Sequence, residues 1–156
     1  MTISAPISRR TLLVASAVSL AAPVRARTGA ARAQESIAAM RIRFTFADQD
    51  FTATLEDNPS ARDLFSMLPL HNLEIDNYAD NEKIAYLPRK LTEEGSGPFE
   101  NEQPGDLCYY APWGNLAMFY GQYRWSRGLI RLGRFDQAPA PLLVRGKFPL
   151  RIETIE

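Results

Sequence analysis

The 156-residue sequence predicts a mainly β protein, a small closed antiparallel β-barrel with one or two short capping helices. Three observations predict this fold class. Several short segments alternate apolar with polar residues, one segment carries clear helix signals, and glycine, proline and asparagine cluster at the joints. Many short strands with turn-rich connections are typical of sandwiches and barrels.

The first two strands are predicted to form a hairpin. Residues 40–46 place apolar side chains at every second position, which is the pattern of a strand with one buried face. Residues 47–50 supply turn chemistry, and the alternation resumes at Phe51, Ala53 and Leu55.

One helix is predicted after this hairpin. Asn58 is a good N-cap, and Pro59 fits the first turn, where its missing amide costs nothing. The apolar residues among 64–68 share one face, and Pro69 ends the helix.

The rest of the chain reads as short strands and loops. Weaker strands are predicted at 70–75 and 83–87, and stronger ones at 106–111, 116–120 and 148–152. The predicted joints are a long exposed loop at 92–105, a turn at 112–115 and a loop at 136–141.

The N-terminal stretch carries the signals of an exported protein. Arg9 and Arg10 directly precede a modest apolar run at 12–24, and Ala-Arg-Ala at 31–33 is a site that a signal peptidase reads. The run is too short and alanine-rich for a membrane span, which needs about 20 apolar residues. Arginines between the run and the cleavage site favour the twin-arginine route. The alternative is a cytoplasmic amphipathic N-terminus.

These signals divide the chain into three predicted parts. They are a cleaved twin-arginine signal peptide at 1–33, a short leader at 34–39 and one barrel domain at 40–156. The predicted location is periplasmic or secreted, after cleavage near Ala33, and the mature protein is predicted to have no membrane span.

Charge and cysteine content narrow the partners. Five of the 18 basic residues and none of the 18 acidic ones lie in the first 33 positions, so the remainder carries a net charge of −5. That charge argues against a nucleic-acid partner. The sole cysteine, Cys108, has no internal partner for a disulfide and is predicted to be a small buried strand residue. An accessible thiol is the alternative.

Three motifs carry a resemblance to a known family. Residues 104–121 read PGDLCYYAPWGNLAMFYG, residues 82–88 read EKIAYLP, and residues 128–134 read GLIRLGR. With these motifs the chain resembles the bacterial cyclophilin-like domain family over about residues 40–156. The resemblance implies a closed, eight-stranded cyclophilin-type barrel plugged by helices. It implies little about chemistry, because one fold hosts many functions.

The pattern departs from that of true cyclophilins, which catalyse prolyl isomerisation with an arginine in a Phe-His-Arg segment and a nearby glutamine. The only histidine, His71, is not followed by arginine, and residues 114–119 lack the glutamine. No residue is therefore carried over as catalytic.

The densest aromatic segment, from Tyr109 to Trp125, is the best binding-site signal. Alternate strand members point inward, so about half of these rings are expected in the core. Trp113 differs, because it stands in a proline–glycine turn where an indole can form the wall of a ligand site. The candidate ligand-binding residues are Tyr109, Trp113, Phe119, Tyr123, Arg124 and Arg131.

Two further constellations are weighed against simpler interpretations. Arg124, Arg127, Arg131 and Arg134 would share a face on a helix, which indicates either anion binding or a solvated face, although the glycines at 128 and 133 weaken the case for a continuous helix. His71 with the carboxylates at 74 and 76 fits ordinary polar surface better than a metal site, since the histidine and the acids face opposite ways on a strand. No metal and no cofactor is predicted.

The sequence therefore predicts an exported cyclophilin-like domain that binds a peptide or small molecule without catalysis. The alternative is a divergent peptidyl-prolyl isomerase of the cell envelope. The missing arginine–glutamine pair favours binding.

Overall fold

The computed structural model describes residues 39–156. The predicted signal peptide and nearly all of the predicted leader lie outside the described residues. The described part contains eight strands and one α-helix, α1 (Pro59–Ser66). The strands are β1 (Arg41–Phe46), β2 (Gln49–Leu55), β3 (Leu70–Tyr78), β4 (Glu82–Tyr86), β5 (Asp106–Tyr110), β6 (Asn115–Phe119), β7 (Leu129–Phe135) and β8 (Phe148–Ile155).

The eight strands close into one antiparallel barrel, as predicted. Their order around the barrel is β1-β2-β7-β5-β6-β4-β3-β8, and β1 pairs with both β2 and β8. Closure gives each of the eight described strands a neighbour on both sides, which reduces the exposed edge that would template aggregation.

The hairpin of β1 and β2 shows how the alternation is used. Ile42, Phe44 and Phe46 point into the barrel with almost no exposure, while Arg41 and Arg43 face solvent. In the register, Phe44 lies opposite Phe51, and their rings stack at 5.3 Å. The predicted hairpin is confirmed.

Helix α1 begins as its sequence predicts. The Asn58 side chain accepts a 2.9 Å hydrogen bond from the amide of Ala61, and Pro59 occupies the first turn. Ala61 and Leu64 join the core inside the barrel. A 3-10 turn at Ala140–Leu143 adds a second short helical piece, within and just beyond the region predicted as a loop.

Strand β7 corrects the helical interpretation of the four arginines. Residues 129–135 are extended, with a bulge where β5 passes Arg131, so Arg131 and Arg134 lie on a strand and Arg124 and Arg127 on the irregular segment before it. Glycine is needed at position 133, because a Cβ there would lie 2.2 Å from the carbonyl oxygen of Thr54 on the neighbouring strand β2.

The predicted long loop at 92–105 contains no helix or strand and is mostly exposed. Strand β3 extends three residues beyond its predicted end, to Tyr78. The other predicted strand ends agree with the structure to within a few residues.

A second apolar cluster lies on the outside of the barrel. The residues 120–128, which we call the outer segment, cross the outer faces of β5, β6 and β7 and bury Phe119, Tyr123 and Leu129 together with Cys108. All five residues of β6 are consequently buried, because the barrel interior covers one face and the outer segment helps to cover the other. This double cover leaves a groove beside the outer segment.

Candidate functional site

The groove has a volume of about 330 Å³ and lies on the outer wall of the barrel. Its floor is formed by outward-facing residues of β4 and β6, including Ile84, Asn115 and Ala117. Its walls come from the ends of β3, β4, β5 and β6, the turn at 111–114 and the outer segment. The wall residues include Tyr78, Glu82, Tyr110, Trp113, Phe119, Tyr123 and Arg124.

Trp113 forms the aromatic wall at one end of the groove. Its side chain is 47% exposed, and its ring makes edge-on contacts with Tyr78 at 5.3 Å and Tyr110 at 5.5 Å. The indole therefore has partners on two sides and still presents apolar surface to solvent, which is an arrangement typical of ligand sites.

A second wall is a stacked aromatic pair. The rings of Phe119 and Tyr123 stack with centroids 3.7 Å apart and planes 6° from parallel. The Tyr123 hydroxyl donates a 2.7 Å hydrogen bond to Asp106, and the Cys108 sulfur lies 3.6 Å from the same hydroxyl. Burial raises the pKa of both Tyr123 and Cys108, so both remain protonated at neutral pH. Cys108 is a fully buried strand residue, as predicted.

Asp106 anchors this wall from within the protein. Its carboxylate has no solvent exposure and accepts a 2.7 Å hydrogen bond from Nε of Arg134, while a nitrogen of Arg131 lies 3.7 Å away. The paired guanidinium groups compensate for the burial of the negative charge.

Two charged groups line the groove itself. Glu82 is partly buried, and burial raises its pKa to about 7. Within residues 39–156, neither Glu82 nor Arg124 has an oppositely charged group at ion-pair distance. Arg124 is exposed. The groove thus offers an acid and a base that the described residues leave unpaired.

Asn115 supplies an unsatisfied polar atom on the groove floor. The residue is 1% exposed, and its amide nitrogen donates to the carbonyl of Leu116 at 2.9 Å. Its Oδ1 is buried and has no donor among the described residues. A buried acceptor without a partner carries a desolvation penalty.

Four of the six sequence-predicted site residues meet in this groove: Trp113, Phe119, Tyr123 and Arg124. Tyr109 does not, because alternation along β5 points it into the barrel, where its hydroxyl accepts a hydrogen bond from the amide of Leu91 at 3.1 Å. Its neighbour Tyr110 faces the groove instead.

Arg131 lies at a separate cavity of about 140 Å³. Its guanidinium donates to Glu56 at 2.7 Å and to the carbonyl of Glu100 at 3.1 Å, and it stands over the ring of Phe99. These contacts hold Arg131 in a structural network away from the groove.

Sequence reasoning missed Tyr78, Glu82 and Asn115. Tyr78 and Glu82 are directly opposed across β3 and β4, a pairing that no local pattern reveals. Alternation along β6 could have identified Asn115, because Asn115 lies on the same face of the strand as Ala117 and Phe119.

Three further expectations from the sequence concern His71, metal binding and membrane-spanning segments. His71 is exposed, and its Nδ1 accepts a hydrogen bond from Arg151 at 3.2 Å. Within residues 39–156 no three histidine, cysteine or acidic side chains are grouped so as to hold a metal ion. No helix in that range is long and apolar enough to cross a membrane.

Fold and groove together define a small closed-barrel domain with an external aromatic cleft. A family model described as "Cyclophilin-like family" matches residues 44–153, and the chain belongs to that family. The family match agrees with the resemblance carried by the sequence motifs.

A solved structure has a similar fold. The solution structure of the hypothetical protein AF2241 from Archaeoglobus fulgidus superposes with a TM-score of 0.51 and 17% sequence identity, over 75% of this chain and 95% of that one. No curated protein matches the chain. The structural likeness shows the shared fold.

Proposed function

We propose that this domain binds a peptide or small molecule in the outer groove without catalysing a reaction. The observation that carries the proposal is Trp113, which is 47% exposed between two tyrosines at the mouth of the groove. Covering exposed aromatic surface with a ligand lowers the free energy of the system. The stacked rings of Phe119 and Tyr123 give the ligand a second, preformed wall.

The chemistry of the lining supports binding over catalysis. The Tyr123 hydroxyl is engaged by Asp106, and burial keeps it protonated, so it is a poor general base. The buried thiol of Cys108 has a raised pKa and lies behind the wall. Arg131, a ligand-binding candidate from the sequence, is held by Glu56 outside the groove.

A ligand screen tests the proposal. Tryptophan fluorescence and amide NMR shifts are measured for a library of short blocked peptides and small aromatic molecules. We expect shifts clustered at residues 78–84 and 113–126, and loss of binding in Trp113→Ala. Tyr86→Ala is the matched control, because Tyr86 is 56% exposed on the same sheet but does not line the groove. Shifts clustered elsewhere would contradict the proposal.

A prolyl-isomerisation assay separates binding from the alternative activity. We expect no acceleration of cis–trans exchange in a prolyl test peptide. Acceleration that is lost in Arg124→Ala would overturn the non-catalytic proposal, since Arg124 is the guanidinium that lines the groove.

We also propose that the protein is exported by the twin-arginine route and processed near Ala33. The paired Arg9 and Arg10 and the Ala-Arg-Ala site support this proposal. Intact-mass measurement on the periplasmic fraction is expected to find a chain starting near Gln34. Export that survives the change of both Arg9 and Arg10 to lysine would contradict the route.

A further inference from the structure

We propose that the groove selects a ligand that carries a protonated amine, with the Glu82 carboxylate as its counter-ion. This inference rests on the proposed binding function and names the chemistry of its ligand. It is carried by the row of side chains around Glu82 and by the unsatisfied acceptor on Asn115.

Glu82 stands in a row between two aromatic side chains. It lies directly opposite Tyr78 on β3 and directly opposite Phe119 on β6, and all three residues line the groove. Side chains opposed across antiparallel strands have Cβ atoms about 5 Å apart, so the carboxylate is flanked by a ring on each side.

This setting favours an organic cation. Aromatic rings attract ammonium groups and exclude water, which strengthens the attraction of a partly buried carboxylate for a positive charge. Within residues 39–156 no lysine or arginine takes that place. Lys83, the next residue along β4, is buried on the opposite face and donates to Asn77 and to the carbonyl of Gly146.

Asn115 extends the recognition along β6. Its Oδ1 lacks a donor and lies on the same outward face as Phe119, four residues away, a distance of about 13 Å along a strand. An extended peptide of three or four residues spans that distance. Such a peptide can place a lysine ammonium at Glu82 while its backbone covers the groove floor at Asn115.

The protonation state of Glu82 adds a measurable signature. Because burial raises its pKa to about 7, an ammonium that needs the carboxylate binds more tightly at pH 8 than at pH 5.5. The other titratable or charged groups around the groove are Tyr78, Tyr110, Tyr123 and Arg124. Burial raises the pKa of Tyr123 above its ordinary value, so its hydroxyl does not ionise between pH 5.5 and pH 8.

Arg124→Gln is a control for which we expect the opposite change in affinity for a cation. Arg124 is exposed, and solvent and salt screen its charge more than the charge of the partly buried Glu82. Removing its positive charge in Arg124→Gln is expected to strengthen the binding of a cation, whereas Glu82→Gln weakens it.

Amide NMR titrations of the full domain test the inference with three probes. They are a blocked pentapeptide with lysine at the centre of four alanines, the same peptide with norleucine in place of lysine, and n-butylammonium chloride. At pH 8 we expect the lysine peptide to bind about tenfold more tightly than the norleucine peptide, and we expect Glu82→Gln to remove this difference. At pH 5.5 the difference is expected to shrink for the unmodified protein.

Each outcome has a defined meaning. Butylammonium binding as tight as that of the lysine peptide supports the inference with a free amine as the ligand, and weaker binding supports a lysine side chain. Equal affinity for the lysine and norleucine peptides at the groove overturns the amine inference and leaves the proposed binding function standing. Groove shifts with none of the three probes contradict the amine inference. The peptide and small-molecule screen then decides the binding function separately.

Discussion

The hydroxyl of Tyr123 donates a 2.7 Å hydrogen bond to a carboxylate of Asp106 that has no solvent exposure. The ring of the same tyrosine stacks on Phe119 and forms a wall of the groove. One side chain therefore joins the ligand-facing surface to a buried ionic network. Its ring and its hydroxyl have different roles, and substitutions can separate them.

Tyr123→Phe is expected to lower the free energy of unfolding by about 1–3 kcal/mol, because it removes a hydrogen bond to a buried carboxylate. The same oxygen of Asp106 keeps only the amide of Gln103, at 3.1 Å, as a hydrogen-bond donor. The ring is retained, so affinity for a groove ligand is expected to change little. Denaturant unfolding and a binding titration measure the two quantities. A loss of affinity with unchanged stability would contradict this division of roles.

Trp113→Ala is expected to change the free energy of unfolding by less than about 1 kcal/mol, because the indole is half exposed and leaves little cavity behind. Ligand affinity is expected to fall. If Trp113 were a core residue, the loss would be about 3–5 kcal/mol. Urea denaturation distinguishes the two values.

Tyr109→Ala is expected to show the opposite behaviour. Tyr109 is fully buried, and the substitution removes a large ring from the core together with the acceptor of the Leu91 amide. A loss of about 3–5 kcal/mol is expected. Tyr109→Phe isolates the hydrogen bond and is expected to cost about 1–2 kcal/mol. A stable Tyr109→Ala protein that has lost ligand binding would place Tyr109 in the site.

Glu82→Gln is expected to alter how stability depends on pH. The pKa of Glu82 is about 7 in the folded protein against an ordinary value of 4.5, so between these values the folded state holds a proton that the unfolded state has lost. Its contribution is therefore fully present below pH 4.5 and is lost as the pH rises through 7. We expect the variant to match the parent protein at pH 4. At pH 8 we expect it to be more stable by about 1 kcal/mol, a value reduced for partial solvent screening. Equal stability at both pH values would contradict the burial of a charged Glu82.

The hairpin, the helix and the last strand were predictable because each follows from local rules. Alternation placed Phe44 and Phe46 in the core, and the cap at Asn58 fixed the start of α1. Strand β4 looked weak in the sequence for a physical reason, since one of its inward positions is Lys83. Its ammonium is fully buried, where it donates to Asn77 and to the carbonyl of Gly146 and lies near the ring of Phe46.

Non-local pairing explains what the sequence left out. Strand β7 carries Arg131 and Arg134 on its outer face because each meets a buried or half-buried carboxylate from another strand or loop, and such partners are invisible in a local pattern. The same limit hid the alignment of Tyr78 with Glu82. The aromatic density indicated the site correctly at Trp113, Phe119 and Tyr123 but not at Tyr109, which points into the barrel.

The outer segment has a consequence for the dynamics of the groove. Residues 122–126 have no strand pairing. They are held by hydrogen bonds from the Tyr123 hydroxyl to Asp106, from the Trp125 amide to Glu102 and from the Trp125 indole to the Leu129 carbonyl. The Asn81 side chain and the Leu129 amide donate to the carbonyls of Gln122 and Ser126. A segment held by a few hydrogen bonds opens at a lower free energy than the paired strands of a closed barrel. We expect amide hydrogen exchange at 122–126 to outpace exchange at Leu107 and Leu116, and a bound ligand to slow the former while leaving the latter unchanged. A ligand that contacts both the outer segment and the barrel would then stabilise the packed position of the outer segment.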